Sequence, residues 1–326
     1  TEGKMEMQKV PEAGYRIEGL RIAGIQRRLT LENLNFPFKL LGSLQKAKKL
    51  IKNFKPHLVV GVGGYASGPV LFMAQRKGLP TLIQEQNSYA GLTNKLLAKN
   101  ADAICVAYPE MERYFPASKI KYTGNPVRKD ILDIADKREK ALAHFGLNSD
   151  QPVILSLGGS LGAKTLNQAL LRSMEDFESK GYQVLWQTGR YYYEKVMGQV
   201  KDVGVKGIFP LEFIKEMDLA YAAADVVISR SGALSVSELS LVGKPVIFIP
   251  SPNVAEDHQT KNAMAYVSQN AALLLEDVNA IDQLGSMVHS LLGNQEKRDL
   301  LSQAIKMMAK PEAAKDIVKV MEELIQ

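Results

Sequence analysis

Three short turns hold the residues of this chain whose types and spacing suit phosphate and sugar chemistry. In "VILSLGGSLGAKTLNQAL" an apolar strand runs into Gly158, Gly159 and Gly162 and then into a helix. Glycines let a backbone approach a ligand closely, and Ser160 with the N–H groups opening a helix at Ala163–Thr165 makes a cradle for phosphate oxygens. In "ISRSGALSVSELSLVGKPVIFIP" a strand ends at Ser229, Ser231 and Gly232, and Ser235, Ser237 and Glu238 fall on the first turns of the next helix. A carboxylate there suits two ribose hydroxyls as a bidentate acceptor, and the loop amides suit a diphosphate. "EDHQTKNA" sets His258, Gln259 and Asn262 near another helix start, where polar side chains could complete a nucleotide-sugar site. Taken singly, Glu238 reads rather as ordinary first-turn charge and His258 as an exposed cap residue.

A fourth turn, "LVVGVGGYASGPV", is more ambiguous. Gly61-x-Gly63-x-x-Ala66 fits the relaxed dinucleotide fingerprint, and Glu85 stands about 20 residues on, where a ribose-binding acid is expected. That fingerprint belongs on the first strand of a nucleotide-binding unit, and the same glycines equally serve a tight strand-to-helix turn. No G-K-[ST] follows either glycine loop, so neither is a Walker A, and there is no D-x-D motif.

These turns need elements to hold them. Apolar runs predict strands at 57–63, 81–84, 103–107 and 120–122, then a second series at 153–157, 183–187, 207–210, 226–229, 246–249 and 271–274. Helical patterns at 68–77, 89–99, 165–180, 217–223, 234–242 and 259–268 fall between them. Strand-helix alternation specifies an α/β fold with parallel sheets covered on both faces, and the restart implies two doubly wound domains. The division is expected in "GNPVRKDILDIADKREK", giving domains at 1–131 and 132–326, with the last helix packing back on the first domain. Residues 1–14 read as the middle of an α/β unit rather than its opening strand.

Composition narrows the classes. With 326 residues, 46% hydrophobic and 23% charged, the chain is long enough for two cores and is neither disordered nor fibrous. No run of some 18–20 apolar residues could span a bilayer, and the single cysteine, Cys105, fits a reducing compartment, so the expectation is a cytoplasmic protein. One Cys and four scattered His make a zinc site improbable, and no metal is expected. The net charge of +6 gathers in residues 21–55, where Arg21, Arg27, Arg28, Lys39, Lys46, Lys48, Lys49, Lys52 and Lys55 lie among Phe36, Phe38, Leu40, Leu41, Leu44 and Ile51. Basic and apolar groups adjoin in this way on peripheral membrane surfaces; the alternative is an amphipathic helix with a core-facing stripe and solvated lysines. No stacking-aromatic motif accompanies the charge, so nucleic acid is not expected as a partner.

Taken in order, "GVGGYASGP", "IQEQNSYAGLTNKLLAK", "TGNPVR", "LGGSLGAKTLN", "ADVVISRSGALSVSEL" and "DHQTKNA" resemble the MurG family of peripheral membrane N-acetylglucosaminyltransferases, over essentially the whole chain. The resemblance implies a GT-B architecture, two Rossmann-like doubly wound parallel-sheet domains facing a cleft. It implies UDP-GlcNAc as donor, mostly on the C-terminal domain, and lipid I as acceptor on the N-terminal domain. The implied reaction is inverting transfer to the muramoyl 4-hydroxyl, giving lipid II at the cytoplasmic face of the membrane without a cofactor. Carried over by position, the donor contacts fall on Asn87, Arg128, Ser160, Ile214, Ala233, Leu234, Ser235, Glu238 and Gln259. In that assignment Ile214 meets uracil through its backbone, Glu238 the ribose, Ser160 the diphosphate, and Asn87 and Gln259 the sugar. Gly63, Gly64 and Tyr65 become the loop for the acceptor's diphosphate. Two departures stand out: Gln84 replaces the family's usual His before "EQN", and nothing matches the family's opening G-G-T-G-G-H-x-x-P loop, whose His is its favoured base. The catalytic base is therefore unassigned. Competing readings are a UDP-GlcNAc 2-epimerase-like isomerase, a dinucleotide oxidoreductase and a noncatalytic sugar-nucleotide-binding protein.

Overall fold

The computed structural model describes residues 1–22 and 36–326, so Arg27 and Arg28 of the basic segment lie outside the described residues. The chain forms two compact units, Thr1–Gly124 with Glu312–Gln326, and Asn125–Pro311.

The first unit contains α1 (Glu6–Glu12), α2 (Phe36–Phe54), β1 (Val59–Gly61), α3 (Gly64–Arg76), β2 (Thr81–Glu85), α4 (Leu92–Ala98), β3 (Ala103–Val106) and β4 (Ile120–Tyr122). Its sheet is parallel in the order β1-β2-β3-β4, with Gly61 opposite Ile83 and Glu85 opposite Val106. Every residue of β2 and β3 is buried, the signature of strands covered on both faces. On α2 only Ser43, Ala47 and Ile51 are buried, a single stripe at four-residue spacing.

The second unit contains α5 (Arg138–Phe145), β5 (Val153–Leu157), α6 (Lys164–Ser179), β6 (Gln183–Gln187), α7 (Tyr193–Val203), β7 (Ile208–Leu211), α8 (Met217–Ala223), β8 (Val226–Ser229), α9 (Ala233–Val242), β9 (Val246–Phe248), α10 (His258–Val267), β10 (Leu273–Leu274), α11 (Ala280–Leu292) and α12 (Gln295–Met307). Its six strands are parallel in the order β10-β9-β8-β5-β6-β7. One face packs against α6 through Leu166, Leu170 and Phe177 and against α11 through Leu284, Val288 and Leu291. The other face packs Val153 against Leu142 of α5 and Leu219, Ala222 and Ala223 of α8. A last helix, α13 (Ala313–Ile325), belongs to the first unit, where Ile317 and Val320 pack on Leu82, Ala103 and Cys105.

The structure differs from the sequence reading in several places, the unforeseen helix α11 among them. Helix α3 starts at Gly64 rather than 68, and the turn before it needs only Val62 and Gly63, because Gly63 and Gly64 both take positive φ, 86° and 73°. Helix α7 was unforeseen: "RYYYEKVMGQVKDV" shows no broad apolar stripe, and only Val196 and Val200, four apart, are buried. The division falls between Gly124 and Asn125, and residues 125–131 join the second unit. The reason is side-chain anchoring, since Asn125 Nδ2 donates to Ser237 Oγ of α9 at 3.0 Å.

Candidate active site

The β5–α6 turn is shaped by backbone that only glycine adopts. Gly162 has φ 89°, and a Cβ there would lie 2.3 Å from the Thr188 carbonyl oxygen and 2.5 Å from the Tyr192 ring. The turn is thus packed backbone to backbone on the β6–α7 loop, where the Arg190 N–H donates to the Ser160 carbonyl at 3.1 Å. Helix α6 begins at Lys164 with Ala163 at its N-cap, and no side chain caps it. The free N–H groups of the first turn, the helix dipole and the Lys164 ammonium give this end the chemistry that suits a phosphate.

Glu238 lies on the second turn of α9, whose N-cap is Gly232. Its Oε1 accepts from Arg128 Nε at 3.1 Å and its Oε2 from the Tyr221 hydroxyl of α8 at 3.2 Å. The carboxylate side chain is 14% exposed, against 43% for Arg128. Burial, reinforced by the neighbouring Glu238 charge, pushes the Tyr221 phenol well above its usual range, so it stays a neutral donor.

Gln259, at the start of α10, accepts the Ser251 N–H on Oε1 at 2.8 Å, which leaves its amide NH2 as the donor on a residue that lines the cavity. The Ile214 N–H donates to Gln187 Oε1 at 3.0 Å, so the backbone group of Ile214 left for a base is its carbonyl. Arg230, after β8, donates to the Ile249 and Pro250 carbonyls and to Asp277 Oδ1 at 2.5 Å, while Thr165 Oγ1 of α6 donates to Asp277 Oδ2 at 2.8 Å. This network ties three loops together.

These loops enclose a cavity of about 550 Å³ in the second unit, within the size range of ligand pockets. Of the residues expected from the sequence, Arg128, Ile214, Ser235, Glu238 and Gln259 line it, beside Gly158, Gly159 and Gly162. Ser160 is an exposed member of the same glycine turn, and Ala233 and Leu234 are the first residues of α9, Leu234 at 49% exposure. Sequence reasoning missed Lys164, Gln187, Tyr221, Arg230 and Asp277, the last four acting through partners distant in the chain; an arginine inside "SRSG" was the one visible signal. Among the described residues, no three His, Cys, Asp or Glu converge as a metal site requires.

Asn87 and the Gly63–Tyr65 turn belong to the first unit. Glu85, the acid of the dinucleotide reading, is 3% exposed and turned under its own loop. It accepts the Asn87 N–H at 3.1 Å, the Gly91 N–H at 2.9 Å and Asn94 Nδ2 at 2.7 Å. A carboxylate committed to these donors fixes the β2–α4 loop that presents Asn87, and it does not bind a ribose. Gln84 is buried within β2. Tyr65, in the first turn of α3, is 57% exposed, and a Cβ on Gly63 or Gly64 would meet nothing within 4 Å, so this backbone is open to a ligand.

Comparison with known proteins agrees with this architecture. Residues 1–106 match the glycosyltransferase family 28 N-terminal domain and residues 153–321 its C-terminal domain. The UDP-N-acetylglucosamine–N-acetylmuramyl-(pentapeptide) pyrophosphoryl-undecaprenol N-acetylglucosamine transferase of Cytophaga hutchinsonii is 53% identical over 325 residues, covering 100% of this chain and 87% of that protein. The crystal structure of Acinetobacter baumannii MurG matches with a TM-score of 0.80 at 30% identity, over 99% of this chain and 89% of that one, and the two parallel α/β sheets of the present chain are the GT-B fold expected from the sequence. A UDP-GlcNAc 2-epimerase from Neisseria meningitidis, with a TM-score of 0.63 at 14% identity over 91% of this chain and 83% of its own, shares the fold alone. With both domain models matched and half of its residues shared with a transferase along the whole of this chain, the chain belongs to glycosyltransferase family 28.

Proposed function

We propose that this chain transfers N-acetylglucosamine from UDP-GlcNAc to the muramoyl 4-hydroxyl of lipid I, making lipid II with inversion at the anomeric carbon. The observation that carries the reading is the cavity of the second unit, where a carboxylate on α9, the open N-terminus of α6 and the Gln259 amide lie on one wall-to-wall surface. In the reaction the acceptor oxygen bonds to C1 of GlcNAc and loses its proton, while the C1–oxygen bond to UDP breaks and its electron pair leaves with the diphosphate. The chain's part is to bind and to stabilise that leaving charge. Glu238 accepts the ribose hydroxyls, the Ile214 carbonyl meets uracil, and the α6 N–H groups with Ser160 and Lys164 hold the diphosphate. Gln259 and Asn87 donate to the sugar, and Arg128 adds a cation. The Gly63–Tyr65 turn approaches the acceptor's diphosphate.

The test is transfer of labelled GlcNAc to lipid I. Glu238→Ala should raise KM for UDP-GlcNAc about 10–100-fold, the worth of hydrogen bonds to a charged group, with a smaller change in kcat. An unchanged KM would refute the ribose assignment.

We further propose that the segment 21–55 seats the enzyme on an anionic membrane surface. Supporting it, α2 exposes Phe38 at 74% and Leu41 at 58% beside exposed Lys39, Lys48, Lys49 and Lys52, whereas Phe36 and Leu40 are half-buried. No helix among the described residues is long and apolar enough to cross a membrane. A Phe38/Leu41 double substitution to Ser should reduce co-sedimentation with anionic liposomes, and equal sedimentation would remove this surface from the proposal.

A further inference from the structure

Reading the cavity as a UDP-sugar site leaves a question about Glu238. A carboxylate on a helix has free χ angles, yet recognition of two vicinal hydroxyls needs both oxygens held in one plane. Ionised, it offers about four lone-pair positions. Two are taken, Oε1 by Arg128 and Oε2 by Tyr221, and two remain, as many as a ribose has hydroxyls.

The two partners differ in what they can fix. Arg128 is 43% exposed and comes from the irregular segment that follows Asn125. Tyr221 is 1% exposed, sits on α8 among buried Met217, Leu219, Ala220 and Ala222, and lines the cavity itself. Its ring cannot move without disturbing the core of the unit. We propose that Tyr221 is the positioning residue for ribose recognition, its hydroxyl pinning Oε2 of Glu238 so that the remaining lone pairs face the 2′- and 3′-hydroxyls of the donor. Held protonated, its phenol keeps the O–H that it donates to Oε2, and the ionised carboxylate, which can only accept, completes the pair. The inference rests on the donor-site reading above and adds to it the residue that makes Glu238 selective for ribose.

The experiment compares equilibrium binding of UDP and 2′-deoxy-UDP to the full chain, as wild type, Tyr221→Phe and Glu238→Ala, by isothermal titration. A loss of fold or of general affinity moves both ligands alike, whereas positioning of the carboxylate moves their ratio. Wild type should prefer UDP about ten-fold, the lower end of what a hydrogen bond to a charged group contributes. Glu238→Ala should bring the ratio to about one, and Tyr221→Phe should bring it to about three or below, since the carboxylate is then free to turn. If Tyr221→Phe keeps the wild-type ratio while Glu238→Ala abolishes it, Glu238 needs no holding and the proposal is wrong. If Glu238→Ala also keeps the ratio, the ribose assignment itself is wrong. Should Tyr221→Phe not fold, Tyr221→Met, likewise without the hydroxyl, gives the same comparison.

Discussion

At the scale of single residues, the site depends on atoms that are already committed elsewhere. Gln259 uses its carbonyl on Ser251 and Ile214 its N–H on Gln187, so each has one polar group left for a ligand and its direction is set. Gly162 is the tightest case. Alanine there would combine a φ of 89° with a methyl 2.3 Å from the Thr188 oxygen. Gly162→Ala is expected to cost about 1–3 kcal/mol of stability from the backbone strain alone, seen as a lower Tm, and to weaken UDP binding because the turn must move off the β6–α7 loop. Gly159, with φ 80° and no atom within 4 Å of a Cβ, should bear only the strain, so Gly159→Ala separates the two effects.

At the scale of elements, the legible parts of the chain were those whose physics is local. Strands 153–157, 183–187 and 226–229 are fully buried apolar runs, and the glycine and serine turns announce the φ values and helix starts they require. What stayed hidden depends on partners brought together by folding: Tyr221 and Glu238 are 17 residues apart, Arg230 and Asp277 are 47 apart, and Asn125 and Ser237 are 112 apart. The same reason explains why Glu85 only looks like a ribose acid in the sequence: its distance from the glycine turn fits, but its oxygens are used by Asn87, Gly91 and Asn94. Another such pair gives a pH prediction. Lys137 Nζ donates to Asp218 of α8 at 2.8 Å. Burial draws the Asp218 carboxyl upward, but the Lys137 bond and N–H groups at the start of α8 outweigh it and leave it below its usual value. The same bond raises Lys137. The pair's stabilisation is therefore present at neutral pH, fades as pH falls through the depressed Asp218 value, and fades again as pH rises through the raised Lys137 value. The Tm gap between wild type and Asp218→Asn should be constant near neutrality and close below about pH 4, where free aspartate protonates.

At the scale of the whole molecule, the chain leaves its first unit at Gly124, builds the second without interruption to Pro311, and returns to the first as α13. Ile317 on that helix is 7% exposed over the sheet, and Ile317→Ala should destabilise the first unit by about 2–5 kcal/mol. The molecule carries separate reporters. Trp186 is the only tryptophan and is buried in the second unit, so its fluorescence should melt as in wild type. Cys105, the only thiol, lies under α13 with its pKa raised to about 11 by burial, and should become reactive to thiol reagents at lower temperature in the variant. The return of α13 also bears on how the protein is born. Domains usually complete themselves in the order they leave the ribosome. Here the more N-terminal of the two units waits for a helix encoded after the whole of the other, so the second unit can fold first while Leu82, Ala103 and Cys105 stay uncovered until α13 has been made.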